Sequence, residues 1–263
     1  MNGRGAAFFD LDKTIIAKSS TLAFSRPFYA GGLINRRAVV RSAYAQFVYL
    51  VGGADHDQME RMRAYLSALV TGWDVGQVKD IVAETLHELI DPMVYSEAAD
   101  LIAEHQEAGR DVVIVSSSGA EVVEPIGELL GADKVVATRM VIEEGRYTGD
   151  LEFYAYGPAK AQAIRELASA EGYDLTASYA YSDSITDVPM LEEVGHPHAV
   201  NPDRALRKEA LVRGWPVLNF SHPVALRRRL RDLPGQRPGL TAAIGAGAAT
   251  AGLAWYASRR RRA

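Results

Sequence analysis

Four short apolar runs, each ending in a small polar or acidic residue, recur along the chain. They are Ala6–Phe9 before Asp10, Val112–Val115 before Ser116, Ser178–Tyr181 before Ser182-Asp183, and His198–Val200 before Asn201. Each has strand length and is bounded by turn-formers. Stretches of helical periodicity separate them, as in Glu97–Ala108, Glu121–Leu130 and Ala159–Glu171. Strands alternating with helices predict a parallel sheet with right-handed crossovers. Ligands of such sheets bind beyond the carboxyl ends of the strands. The polar residues that end the four runs are therefore expected at one edge.

Two stretches break the alternation. Residues from about Leu22 to Pro92 lack strand signals and show helical periodicity in Ala38–Leu50, Asp57–Leu69 and Val75–Leu89. Alternating residues on either side of Glu144-Gly145-Arg146 predict a β-hairpin over Val135–Gly149, beside the main sheet. The expected architecture is α/β: a Rossmann-like parallel sheet flanked by helices, built from residues 1–18 and 93–226. An α-helical cap is inserted at 19–92, and a linker with a C-terminal hydrophobic and basic tail follows at 227–263.

Composition narrows the chemistry. The chain has 263 residues and no cysteine, which excludes a disulfide scaffold, a Cys-ligated metal and a Cys nucleophile. Its net charge of −4 conceals a split: nine arginines and one acid give +8 from Arg227 to Ala263, leaving −12 on the first 226 residues. An acidic body does not suit nucleic acid. The run Ala6–Phe9 is too short for a signal-peptide core, so the body is expected in the cytoplasm.

Asp10 and Asp12 follow the first predicted strand at strand spacing, which points both carboxylates to one side. Two acids sharing a site call for a bound cation or a shared proton, and Mg²⁺ suits oxygen ligands of this kind. The plainer alternative is an Asp that caps the next helix. A second pair, Asp183 and Asp187, lies where another strand turns into a helix. Between the pairs stand Ser116, Ser117 and Ser118 after an aliphatic strand, and Lys160 near a helix start. Serines that open a helix supply hydroxyls and free N–H groups for a phosphate, with Ser116 and Ser117 as the candidates. Alternatively, the serines are only a cap and turn, and Lys160 a solvated surface lysine. Each element alone has a bland reading. All four in this order do not.

The order resembles the haloacid dehalogenase superfamily of phosphohydrolases, in the branch containing phosphoserine phosphatase. The motifs are Asp-x-Asp-x-Thr at Asp10–Thr14, Ser116 at a strand end, Lys160, and Asp-x-x-x-Asp at Asp183–Asp187, over roughly Ala6 to Leu218. Ser182 precedes the last motif where relatives often carry Gly. The resemblance implies a phosphatase in which Asp10 attacks phosphorus to form an aspartyl-phosphate. Asp12 would protonate the leaving alkoxide and then take a proton from water. Mg²⁺ would be held by the Asp10 carboxylate, the Asp12 carbonyl and Asp183, with Asp187 in support. Ser116 and Lys160 would bind the phosphoryl group. Charge arithmetic agrees, since a carboxylate and a phosphate 4 Å apart repel by about 4 kcal/mol per unit-charge pair at an effective dielectric near 20.

A small phosphorylated metabolite is the expected substrate, phosphoserine included. In phosphoserine-specific relatives an acid follows the first motif and meets the substrate ammonium; here that position falls near Ser19, and no carboxylate occurs between Asp12 and Asp55. Glu60 is a possible substitute, and Arg36, Arg37, Arg41, Arg61 and Arg63 are cap cations that surface exposure explains equally well. The tail adds a rival. Leu240–Ala257 is uncharged for 18 residues and is followed by Arg259–Arg262. As a helix it spans about 27 Å, close to a bilayer core. Membrane association through residues 240–257 and a lipid or head-group phosphate as substrate form the second reading, and an Ala/Gly-rich flexible tail is the plain one. A non-catalytic phosphate- or partner-binding module is the reading from another class.

Overall fold

The computed structural model describes residues 4–34 and 67–223. The tail at 227–263, its run 240–257, most of the two stretches expected to be helical at Ala38–Leu50 and Asp57–Leu69, and Glu60 with the five arginines expected in the cap lie outside the described residues. All four expected strands form. They are β1 (Ala6–Phe9), β2 (Asp111–Gly119), β5 (Tyr179–Ser182) and β6 (His196–Val200). With β3 (Lys134–Glu143), β4 (Arg146–Phe153) and β7 (Val217–Leu218) they make a seven-stranded sheet of order β4-β3-β2-β1-β5-β6-β7. Every pairing is parallel except β3 with β4.

Helices α1 (Ser20–Ala23), α2 (Ser25–Ala30) and α3 (Val75–Ile90) precede α4 (Ser96–Glu107), α5 (Ala120–Leu130) and α6 (Pro158–Glu171). The short α7 (Val188–Leu191) and α8 (Arg204–Arg213) follow. The period-two pleat of β1 divides the core. Ala7 and Phe9 join one apolar cluster with Val82, Ile90, Val123 and Ile126 from α3 and α5. Ala6 and Phe8 join another with Ile164, Met190 and Leu206 from α6, α7 and α8. All four β1 residues are fully buried, as a central strand covered on both faces requires.

Two expectations need adjustment. The hairpin does not stand beside the sheet; it extends it. Lys134–Thr138 pairs parallel with β2, and Arg139–Glu143 continues past the sheet to pair antiparallel with β4. The turn is Glu144-Gly145, at φ 49° and 77°, as a tight right-twisting hairpin demands. Strand β6 starts two residues earlier than its apolar run, at His196. His196 and His198 act there as aromatic plates: their rings stack on Tyr179 and Tyr181 at 4.4 and 4.8 Å.

A third imidazole is sealed under α4. His105 is 2% exposed and packs edge-on against Phe9. Its Nδ1 lies 2.6 Å from Arg110 Nε, which can only donate, so Nδ1 accepts and Nε2–H donates to the Tyr181 hydroxyl at 2.8 Å. The ring is thereby fixed as one neutral tautomer. Burial, aided by Arg110 and His198, lowers its pKa from 6.5 to about 4. A group depressed in the folded state stabilises above its unfolded pKa and loses that contribution as pH falls through the folded one. The His105 contribution to stability should therefore drop by about 1–3 kcal/mol between pH 6.5 and 4. Urea unfolding of the wild type and of His105→Phe, compared across that window, checks it; the variant's slope with pH should be shallower.

Candidate active site

Strand β1 sits at the centre of the sheet, where chain connections leave toward β2 on one side and β5 on the other. A crevice opens at such a point because neighbouring crossovers diverge to opposite faces. Asp10 occupies it. Its N–H donates to the Tyr181 carbonyl at 2.9 Å, carrying the β1–β5 ladder one residue past the strand and leaving the carboxylate 6% exposed at the edge. Ser116, the last residue of β2 before its register with β3 slips, and Asp183 after β5 are also buried, at 1% and 7% exposure.

Lys160 is not a solvated surface lysine. It is 2% exposed, and its Nζ lies 2.7 Å from Asp10 Oδ1 and 2.8 Å from Asp187 Oδ2. The approach depends on the start of α6. Gly157 has φ 54° and ψ −126°, a backbone region essentially open only to glycine, and Pro158 then fixes the first helical turn. Asp187 also accepts from Ser182 Oγ at 2.7 Å, so the residue just before the motif anchors its last acid. Asp203 was not legible as a site residue. It caps α8 through Leu206 N–H, accepts from Ile185 N–H, and donates its own N–H to the Asp183 carbonyl at 2.8 Å, which fixes the loop between β5 and α7.

Asp12 and the serines divide differently from expectation. Asp12 is half-buried and makes none of the lysine contacts; Oδ1 accepts the Ser20 N–H at 2.8 Å and Oδ2 faces Ser118 Oγ at 3.4 Å. Ser116 Oγ accepts the Ser118 N–H at 3.2 Å. Ser117 is exposed, and the structure does not bring its side chain to the other site residues. The register between β2 and β3 slips between Ser116 and Gly119, while Thr138 Oγ1 holds the Ser117 carbonyl at 2.8 Å. Ser118, not Ser117, is the second buried serine. Alternation from Ser116 points to it, since residues i and i+2 share a face.

Electrostatically the site lacks positive charge. Asp10, Asp183 and Asp187 are buried around one ammonium, with Lys13 Nζ reaching only to 3.8 Å from Asp183. Burial raises Asp10 to about 8, against the lowering pull of Lys160 and with Asp187 and Asp183 adding to the rise. Burial likewise raises Asp183 to about 7. Burial alone would depress Lys160, but Asp10 and Asp187 hold it above its ordinary value. Among the described residues no three acidic or imidazole side chains are gathered at metal-ligand spacing. A hard cation nonetheless suits this donor set, because it supplies the charge that would keep Asp10 and Asp183 ionised. The arrangement can hold an anion's oxygens on Lys160 and Ser116 while presenting the Asp10 carboxylate to its central atom.

The haloacid dehalogenase-like hydrolase family matches residues 7–192, a span that contains every site residue above except Asp203. The chain is similar to the inhibition of morphological differentiation protein of Streptomyces azureus, 74% identical over 98% of this chain and 95% of that one. A probable phosphatase of Mycobacterium tuberculosis is 63% identical over 98% of this chain and 90% of its own length. A phosphoserine phosphatase of the same species is 33% identical over 97% of this chain and 81% of its own.

Removing the central ammonium leaves two buried carboxylates facing each other. Lys160→Met should destabilise the fold by about 3–5 kcal/mol at pH 8. The loss should be smaller at pH 5, where the raised carboxyl groups take up protons. Denaturant midpoints of both chains at the two pH values test this.

Proposed function

The chain belongs to the haloacid dehalogenase-like hydrolase family, and on that premise we propose that it hydrolyses phosphate monoesters through a phosphoryl group carried on Asp10. The observation that carries this reading is the buried Lys160 ammonium, 2.7 Å from Asp10 at the carboxyl edge of the sheet. Charge in a phosphoryl transition state spreads over the equatorial oxygens, so catalysis is mainly positioning and charge stabilisation. Lys160 and the Ser116 hydroxyl bind those oxygens. Asp10 displaces the ester oxygen from phosphorus, and Asp12 donates a proton to that oxygen as it leaves. Asp12 then accepts a proton from the water that releases phosphate from Asp10. Splitting hydrolysis in this way makes two easier displacements. Mg²⁺, held by the Asp10 and Asp183 carboxylates and the Asp12 carbonyl, with Asp187 in support, would neutralise charge on the bound phosphate.

Residues 19–92 act as the cap in this reading, and a small phosphorylated metabolite is the substrate. A relative named phosphoserine phosphatase, similar along nearly the whole chain, supports that class. The uncharged run 240–257 with its flanking arginines favours a second reading, a membrane-associated enzyme for a lipid or head-group phosphate. Asp10→Asn should abolish hydrolysis of p-nitrophenyl phosphate, and EDTA should stop the wild type until Mg²⁺ is restored. Full turnover by Asp10→Asn would sink the covalent mechanism.

A further inference from the structure

Asp12 is held by a different set of partners from those that hold Asp10. Besides the Ser20 N–H, its carboxylate faces Ser118 Oγ, which lies 2.9 Å from Ser20 Oγ and 3.3 Å from Thr21 Oγ1. Ser20 is fully buried and Ser118 is 7% exposed. A serine hydroxyl has one proton to give and two lone pairs to receive with. If Ser118 donates to Asp12 Oδ2, its proton is spent, and the Ser20 and Thr21 hydroxyls donate to it. All the donors then run toward Asp12. Two elements meet here, because Ser20 opens α1 on the cap side and Ser118 belongs to β2 on the sheet side.

We infer that Ser20 and Ser118 are positioning residues that fix the Asp12 carboxyl for proton delivery to the leaving oxygen. This rests on reading the protein as a phosphatase with Asp12 as its acid. In the first step the Asp10–phosphorus bond forms as the phosphorus–ester oxygen bond breaks, and that oxygen takes the Asp12 proton. In the second, water oxygen bonds to phosphorus, its proton passes to Asp12, and the bond to Asp10 breaks. Only the first step meets the leaving group. An alkoxide needs the proton badly, whereas p-nitrophenolate is stable without it. The hydroxyl pair therefore suits the site to esters of aliphatic alcohols. It also makes proton delivery depend on where α1 sits.

The test compares kcat/KM of the full-length chain for 2-glycerophosphate and p-nitrophenyl phosphate. With a covalent phosphoenzyme, kcat/KM covers events up to departure of the leaving group and excludes the second step. Ser118→Ala should lower kcat/KM about tenfold for the alkyl ester and under about twofold for the aryl ester. Ser118→Thr, which keeps the hydroxyl, should restore the alkyl ester, and Ser20→Ala should repeat the split. Equal losses on both esters, or none, with the wild type active on both, overturn the inference and leave the phosphatase reading standing. A wild type inactive on both, with Mg²⁺ present, overturns the two together.

Discussion

A buried ammonium between two buried carboxylates governs this structure. Taking an ion from water into a protein costs several kcal/mol even after relaxation, and only close, well-aligned partners offset it. Lys160 meets that condition through Asp10 and Asp187, at 2.7 and 2.8 Å. The three groups come from the end of β1, the start of α6 and the turn after β5, so the contact ties together chain segments on both sides of the central strand. Gly157 and Ser182 serve this contact, one by opening the backbone path to Lys160 and the other by bonding Asp187. Fixing the charges also leaves them unbalanced, because Asp183 adds a third buried acid. In the proposed enzyme that excess of negative charge would favour a bound cation, which would in turn make room for a phosphate.

Much of the arrangement could be read from the sequence, for a physical reason. Residues that end a buried parallel strand must lie at its carboxyl edge, so Asp10, Ser116 and Asp183 were placed by the apolar runs before them. Lys160 could be placed only at a helix start; its burial depends on a tertiary partner 150 residues away, which no local pattern encodes. Ser117 was favoured over Ser118 although strand alternation from Ser116 points to Ser118. The slip in register near Gly119 blurred where the strand ended. The early start of β6 is hidden in the sequence because histidine does not count as apolar, yet the stacked rings of His196 and His198 behave as aromatic surface. Strand β7, with two residues, is too short to leave a periodic signal.

The hairpin shows a related limit. Its turn was legible from Glu144-Gly145, but its attachment was not. Lys134–Thr138 joins the sheet because Asp133 carboxylate and Val112 N–H pair at 2.8 Å, which sets the strand beside β2 from its first residue. The far end meets the segment leading into α3: Tyr147 exchanges backbone hydrogen bonds with Gly72 and Trp73, and Val75 N–H donates to the Gly145 carbonyl. The hairpin is thus a brace between the sheet edge and the start of α3. Such long-range pairing is fixed by the assembled fold and leaves little trace in local composition.

The two acids of the first motif, two residues apart, end up in different electrostatic worlds. Asp10 faces Lys160 and, in the proposed enzyme, a metal ion as well. Both favour the carboxylate, the form that can attack phosphorus. The Asp12 carboxyl has neither contact. Burial raises its pKa, and its partners are a backbone N–H and neutral hydroxyls. Those partners orient it without the full charge that would keep it ionised, so in the proposed enzyme it would carry a proton to a leaving oxygen and take one back from water. Separate roles for paired carboxyl groups follow whenever their surroundings push their protonation apart. Here the pleat alone would have sent both side chains the same way. The Ser20 N–H and the Ser118 hydroxyl draw Asp12 aside, and in the proposed enzyme that divergence would let one short motif supply both a nucleophile and an acid.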